Sequence, residues 1–154
     1  MKKSLLYLTV LVFLSVNLFA QAKPKATVKK TMAPLEKLLS GTALPYQMSN
    51  DTLAVIPYEG ENIKSFNVTI QAISDLYIVY VDLSESLPDK LNETKNKYLL
   101  ETSNNYDIIK IGLAEGGNYF LRADIYKTTA TTAILKRIIA QAANVTNIMA
   151  GELK

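Results

Sequence analysis

The sequence predicts an α+β fold, and three observations carry that prediction. Runs of alternating apolar residues recur at strand length through the middle of the chain, bounded by turn residues. A long stretch at the C-terminal end has apolar residues at helical spacing instead. Between the strand-like runs lies one polar stretch, "LPDKLNETKNKYLL", half of it charged or amide. The order reads helix, three strands, helix, two strands, helix.

The first helix is "TMAPLEKLLSG". Pro34 suits a first turn, Leu35, Leu38 and Leu39 form an apolar stripe, and Gly41 offers a stop. "YQM", "SND" and "TLAVIP" follow as a short strand, a turn and a longer strand, and "YEGEN" is another turn. In "KSFNVTIQAI", Phe66, Val68, Ile70 and Ala72 share one face. "LYIVYVDL" comes after the short turn "SD". In the polar stretch, Ser86 and Asp89 have capping-box spacing and Pro88 is tolerated in a first turn. Leu87, Leu91, Thr94 and Tyr98 fall on one narrow face, so the stretch reads as an amphipathic helix with a wet outer side.

"DIIKIGLAEGGNYFLRADIY" is the clearest hairpin. A two-residue Gly-Gly loop sets Ile111 against Arg122. A three-residue loop, Glu115-Gly116-Gly117, pairs Leu113 with Tyr119, Ile111 with Leu121 and Ile109 with Ala123. Only the second keeps one face apolar, and Gly117 can take the left-handed bulge position it requires. The chain closes with a helix capped by a threonine among 128–132. Ile134, Leu135, Ile138, Ile139, Ala142 and Val145 give it a stripe broad enough to lie across a sheet.

The first residues predict an address. Lys2 and Lys3, the apolar run 5–14 and the small residues Ala20 and Ala22 have the layout of a signal peptide. The expected organisation is a signal peptide over 1–22, cleaved after Ala20 or Ala22, a flexible basic leader over 23–31, and a single α+β domain over 32–150. That predicts a periplasmic or extracellular protein, with no membrane contact after signal-peptide removal. Without Lys2 and Lys3 the formal charge falls from +3 to +1, so a clustered basic face for nucleic acid is not expected.

Several chemistries are excluded by residue type. The 154 residues contain no histidine and no cysteine, which removes the usual zinc ligands, Ser-His-Asp and Cys-His catalysis, and disulfides. The "EGG" stretch lacks the following Lys-Ser/Thr of a phosphate loop. Asp82, Glu85 and Asp89 are the one group of carboxylates worth weighing, and they read as a strand end and helix start, where acidic groups meet the helix dipole. The four Asn-X-Thr triplets, at Asn50, Asn67, Asn92 and Asn144, read as incidental. No catalytic residue, cofactor or metal is predicted, and the chain is not expected to be an enzyme.

The chain resembles the YbjN-like and type III secretion chaperone-like fold family over 32–149. The resemblance rests on "NDTLAVIPY", on the Leu-Asn pair of "KLNETKNK", and on "NYFLRADIY" running into a long C-terminal helix. It implies a five-stranded antiparallel sheet with helices packed on it, often dimeric, and a role in binding other proteins. Secretion chaperones of this fold are cytoplasmic and typically acidic, whereas the leader here predicts export.

A candidate partner surface follows from alternation. If helices cover the face with Val68, Ile70, Ile111 and Leu121, the opposite face carries Ile78, Tyr80, Lys110, Phe120, Arg122 and Tyr126. Apolar and aromatic groups among charges, with Arg and Tyr prominent, match the composition of binding hot spots. The expected partner is another protein or a second copy. The alternative is a binder of a small apolar or envelope-derived ligand, held between sheet and helices.

Overall fold

A computed structural model describes residues 31–84, 87, 91–115 and 117–153. The expected signal peptide and nearly all of the basic leader lie outside these residues, as do Glu85, Ser86, Pro88, Asp89 and Gly116. Among them, strands β1 (Gln47–Asn50), β2 (Leu53–Tyr58), β3 (Phe66–Ile73), β4 (Leu76–Asp82), β5 (Lys110–Leu113) and β6 (Tyr119–Tyr126) alternate with helices α1 (Pro34–Ser40), α2 (Glu93–Ser103) and α3 (Thr132–Glu152). The class is α+β, as the periodicities predict.

All strand pairs are antiparallel, in the order β1-β2-β3-β4-β6-β5. The sheet therefore has six strands rather than five, with four before the middle helix. The additional one is β1, the "YQM" run. It pairs with β2 at the sheet edge and shifts register between Met48 and Asn50.

Alternation decides the covered face. Ala54, Ile56, Val68, Ile70, Tyr77, Val79, Val81, Leu121, Ala123 and Ile125 are buried there. Against them α3 turns Leu135, Ile138, Ile139, Ala142 and Val145 of the predicted stripe, with Met149 one turn further on, while Ile134 of that stripe is only partly buried. Thr131 is the capping threonine, and its hydroxyl accepts the Ile134 N–H at 3.2 Å. Leu35 and Leu39 bring α1 into the same core.

Gly41 ends α1 with right-handed backbone, so its value lies in proximity. A Cβ there would stand 2.9 Å from the Thr132 methyl, where α1 meets the start of α3. In the hairpin, Leu113 pairs with Tyr119 and Ile111 with Leu121. Gly117 takes φ +85 and donates to the Ala114 carbonyl at 2.8 Å, as the three-residue loop requires. Ile109 is buried but precedes the β5 ladder, so its expected pairing with Ala123 is not made.

The middle helix departs most from expectation. It begins at Glu93, because Asn92 caps it by accepting the Lys95 N–H at 2.9 Å, and it runs through Ser103, past the end of the predicted stretch at Leu100. The Ser86, Pro88 and Asp89 capping signals lie outside the described residues. Leu87 and Leu91 are buried without being helical, Thr94 faces solvent, and Leu99 is the residue α2 buries. The cap sets the phase, and a start six residues later turns a different face inward.

Candidate protein-binding face

Among the described residues, no helix packs on the other side of the sheet. One cross-strand row runs over all six strands: Gln47, Val55, Thr69, Tyr80, Arg122 and Lys110. Beside it lie Gln71, Ile78 and Asp124, and then Ile73, Leu76 and Tyr126. The structure thus places Ile78, Tyr80, Lys110, Phe120, Arg122 and Tyr126 on one surface. Ile78, Tyr80, Phe120 and Arg122 are half-buried by their neighbours, while Lys110 and Tyr126 are exposed, Tyr126 at 61%.

The centre of this face is an aromatic pair. Tyr80 and Phe120 stack with centroids 5.5 Å apart and planes at 27°. Phe120 is directly cross-strand from Gly112 on one side and Asp82 on the other. Its ring lies over Gly112, where an added Cβ would be 2.8 Å from both Cε atoms. A glycine in a strand otherwise weakens the sheet, and an aromatic neighbour covering it restores contact. Beside the pair, Arg122 donates to both oxygens of Asp124 at 2.8 and 3.1 Å. That bond outweighs burial and holds the guanidinium above its usual pKa. Burial first, and the Asp82 carboxylate second, push the Tyr80 phenol above its ordinary value.

The carboxylates weighed as a catalytic group are not brought together among the described residues. Asp82 ends β4 and accepts the Ser84 N–H at 2.8 Å, and Glu85 and Asp89 lie outside them. Two of the Asn-X-Thr asparagines have local structural roles. Asn50 accepts from the N–H and hydroxyl of Thr52 in the β1–β2 turn, and Asn92 caps α2.

A second surface was missed in the sequence. Leu100 on α2 is 70% exposed and Leu113 on β5 is 60% exposed. They flank a recess of about 200 Å³ whose lining includes Leu99, Ile111, Gly112 and Tyr119, beside the sheet edge. Tyr119 donates to the Asn96 side chain there, and Ser103 Oγ accepts the Ile111 N–H at 3.4 Å. Leu100 was legible only as part of a helix whose phase depends on Asn92.

No family model and no curated protein matches this sequence. Solved structures match in fold. The chain is similar to one in the heterodimeric ExoU–SpcU complex from the type III secretion system of Pseudomonas aeruginosa, at 15% identity and TM-score 0.57, over 77% of this chain and 96% of that one. It is similar to a chain of the ExsC–ExsE complex at 16% identity and TM-score 0.59, over 79% and 95%. A chain of the HopA1–SchA chaperone–effector complex gives 17% identity and TM-score 0.58, over 76% and 93%. The fold is therefore type III secretion chaperone-like.

These neighbours overturn the expected periplasmic or extracellular address. That expectation rested on 1–22 alone, which lie outside the described residues, while the solved chains sharing this fold come from type III secretion and chaperone–effector complexes.

Proposed function

We propose that this chain is a non-catalytic, chaperone-like or adaptor-like protein that binds another protein through the open face of its sheet. One observation carries the reading: the open face has a half-buried Tyr80–Phe120 pair at its centre, flanked by Arg122 and the exposed Tyr126. Aromatic and arginine anchors of this kind dominate binding energy when a partner desolvates them. The fold neighbours add support, since each comes from a complex of two proteins. The non-catalytic part rests on the lack of histidine and cysteine in the whole sequence.

The test is a crosslinking pull-down from the source cell with the full chain as bait, beside a Tyr80→Ala, Arg122→Ala variant. A partner held by the first and lost by the second is the expected result. A partner held equally by both removes the open face from the reading.

A second copy has separate support as the partner. Leu100 and Leu113 leave an apolar recess open beside the short edge strand β5. Self-association there predicts a dimer by sedimentation that Leu100→Glu dissociates and the Tyr80, Arg122 variant does not. The small-apolar-ligand alternative has less support, because Ile56, Ile70, Leu121, Leu135, Ile139 and Met149 fill the space between sheet and helices.

A further inference from the structure

The open face carries two carboxylates in different circumstances. Asp124 is engaged at both oxygens by Arg122. Asp82 accepts the Ser84 N–H, and among the described residues no lysine or arginine forms an ion pair with it. It lines a recess of about 220 Å³ together with Phe66, Asn67, Thr69, Tyr80 and Ser84. Pockets for drug-sized ligands run to roughly 300–1,000 Å³, so this one suits a single side chain. Tyr80 is an aromatic wall of the recess, two residues before Asp82 on the same strand face, and its ring is held in place from outside the recess by stacking on Phe120, directly across from Asp82.

We propose that this recess takes an arginine side chain of the partner protein. The proposal rests on the open face being the binding surface, and names what that surface recognises. A guanidinium is planar, weakly hydrated and carries five donors in a rigid fork. One edge donates to the Asp82 carboxylate. Its flat face lies against the Tyr80 ring, where a cation is attracted by the ring face. The remaining N–H groups meet the side-chain oxygens of Asn67, Thr69 and Ser84.

Other side chains fit less well. A lysine ammonium is a strongly hydrated point charge that gains the attraction but neither the fork nor the stacking. An aliphatic group would bury the Asp82 carboxylate without a counter-charge, which is costly. Arg122 does not compete, because Asp124 already holds its guanidinium. The influence of Asp82 on the Tyr80 phenol agrees with the two groups facing the same space.

The test is an NMR titration of the ¹⁵N-labelled full chain with N-acetyl-arginine-N-methylamide and with its lysine and citrulline counterparts. The arginine probe is expected to give saturable shifts at the amides of Asn67, Thr69, Tyr80 and Ser84. Lysine is expected to bind several-fold more weakly, and citrulline not at all. Asp82→Asn keeps an oxygen for the Ser84 N–H, so the turn survives, and it weakens arginine binding by about tenfold, the scale of a charge-assisted hydrogen bond.

No saturable shift, equal binding of arginine and lysine, or arginine binding unchanged in Asp82→Asn overturns the proposal. Protein capture separates it from the broader reading. A partner held by the wild type and equally by Asp82→Asn, yet lost by the Tyr80, Arg122 variant, sinks the arginine site and leaves the binding face standing. A partner held equally by all three sinks both.

Discussion

Replacing Gly112 by alanine adds one methyl group beneath the aromatic pair. The new Cβ would stand 2.8 Å from both Cε atoms of Phe120 and closer still to Cζ, whereas ordinary contact begins at 3.4 Å. The ring must therefore withdraw by about half an ångström at Cε and farther at its tip, enough to forfeit much of its dispersion attraction to Tyr80. Two energies then oppose each other. Losing the stacked geometry costs about 0.5–1.5 kcal/mol. Alanine in place of glycine in a strand returns about 0.5–1 kcal/mol by reducing the freedom of the unfolded chain.

Stability measured by urea unfolding is accordingly expected to change by less than about 1 kcal/mol, the difference of those two effects. The ring-proton shifts of Tyr80 are expected to move, and capture of a partner to fall. Wild-type Tyr80 ring shifts in the variant would refute the reasoning. So would a loss above roughly 3 kcal/mol, a magnitude that belongs to the core and not to a half-exposed face.

Three further outcomes follow from the packing. Leu121→Ala removes a fully buried side chain from the centre of the covered face and is expected to cost about 2–5 kcal/mol in urea unfolding. Ser74, in the two-residue turn between β3 and β4, is held at φ 48. Ser74→Gly relieves that left-handed strain and is expected to raise stability by roughly 0.5 kcal/mol, net of glycine's greater freedom when unfolded, read as a small rise in Tm. Burial raises the phenol pKa of Tyr58, Tyr77 and Tyr80 above the ordinary 10.0. The folded state holds those protons more tightly than the unfolded chain does. This contribution is therefore intact below pH 10 and lost as pH rises through 10 and beyond, and the urea midpoint is expected to fall across that alkaline range.

The β-hairpin and the last helix were legible because each had a single physically acceptable solution. Only one register kept Ile111 and Leu121 on the same face, and Gly117 was available for the left-handed position. The α3 stripe was wide enough that an error of one residue would not hide it. The middle helix was not legible in this way, since two sets of capping residues lie within seven positions and tertiary contact decides between them. Asn92 takes the cap, and Leu87 and Leu91 are buried outside the helix.

Alternation within β4 and β6 was sufficient to put Tyr80 and Arg122 on one face. Their neighbours Thr69 and Val55 come from strands whose register depends on turns, so the full row was harder to read. The turn at Ser74 and Asp75 held that information, because Ile73 paired with Leu76 brings Thr69 opposite Tyr80. Gly112 carried no signal of its own, and Asp82 was legible only as one of three carboxylates at a strand end and helix start. Their importance comes only from what stands across from them.

The strand order has a consequence for how the chain reaches this state. β1 to β4 can form as a local meander, each strand beside its predecessor in sequence. The next pair inward, β4 with β6, must close across α2 and β5 before any of its contacts from Leu76↔Tyr126 to Asp82↔Phe120 can form. Loop closure of that kind slows folding. The helix that covers Ile70, Val79 and Leu121 follows all six strands in sequence, so during translation the half-built sheet presents much of its apolar side before that helix emerges. Such an intermediate is prone to aggregate, and the yield of soluble protein is set by how quickly α3 arrives as much as by the stability of the finished fold.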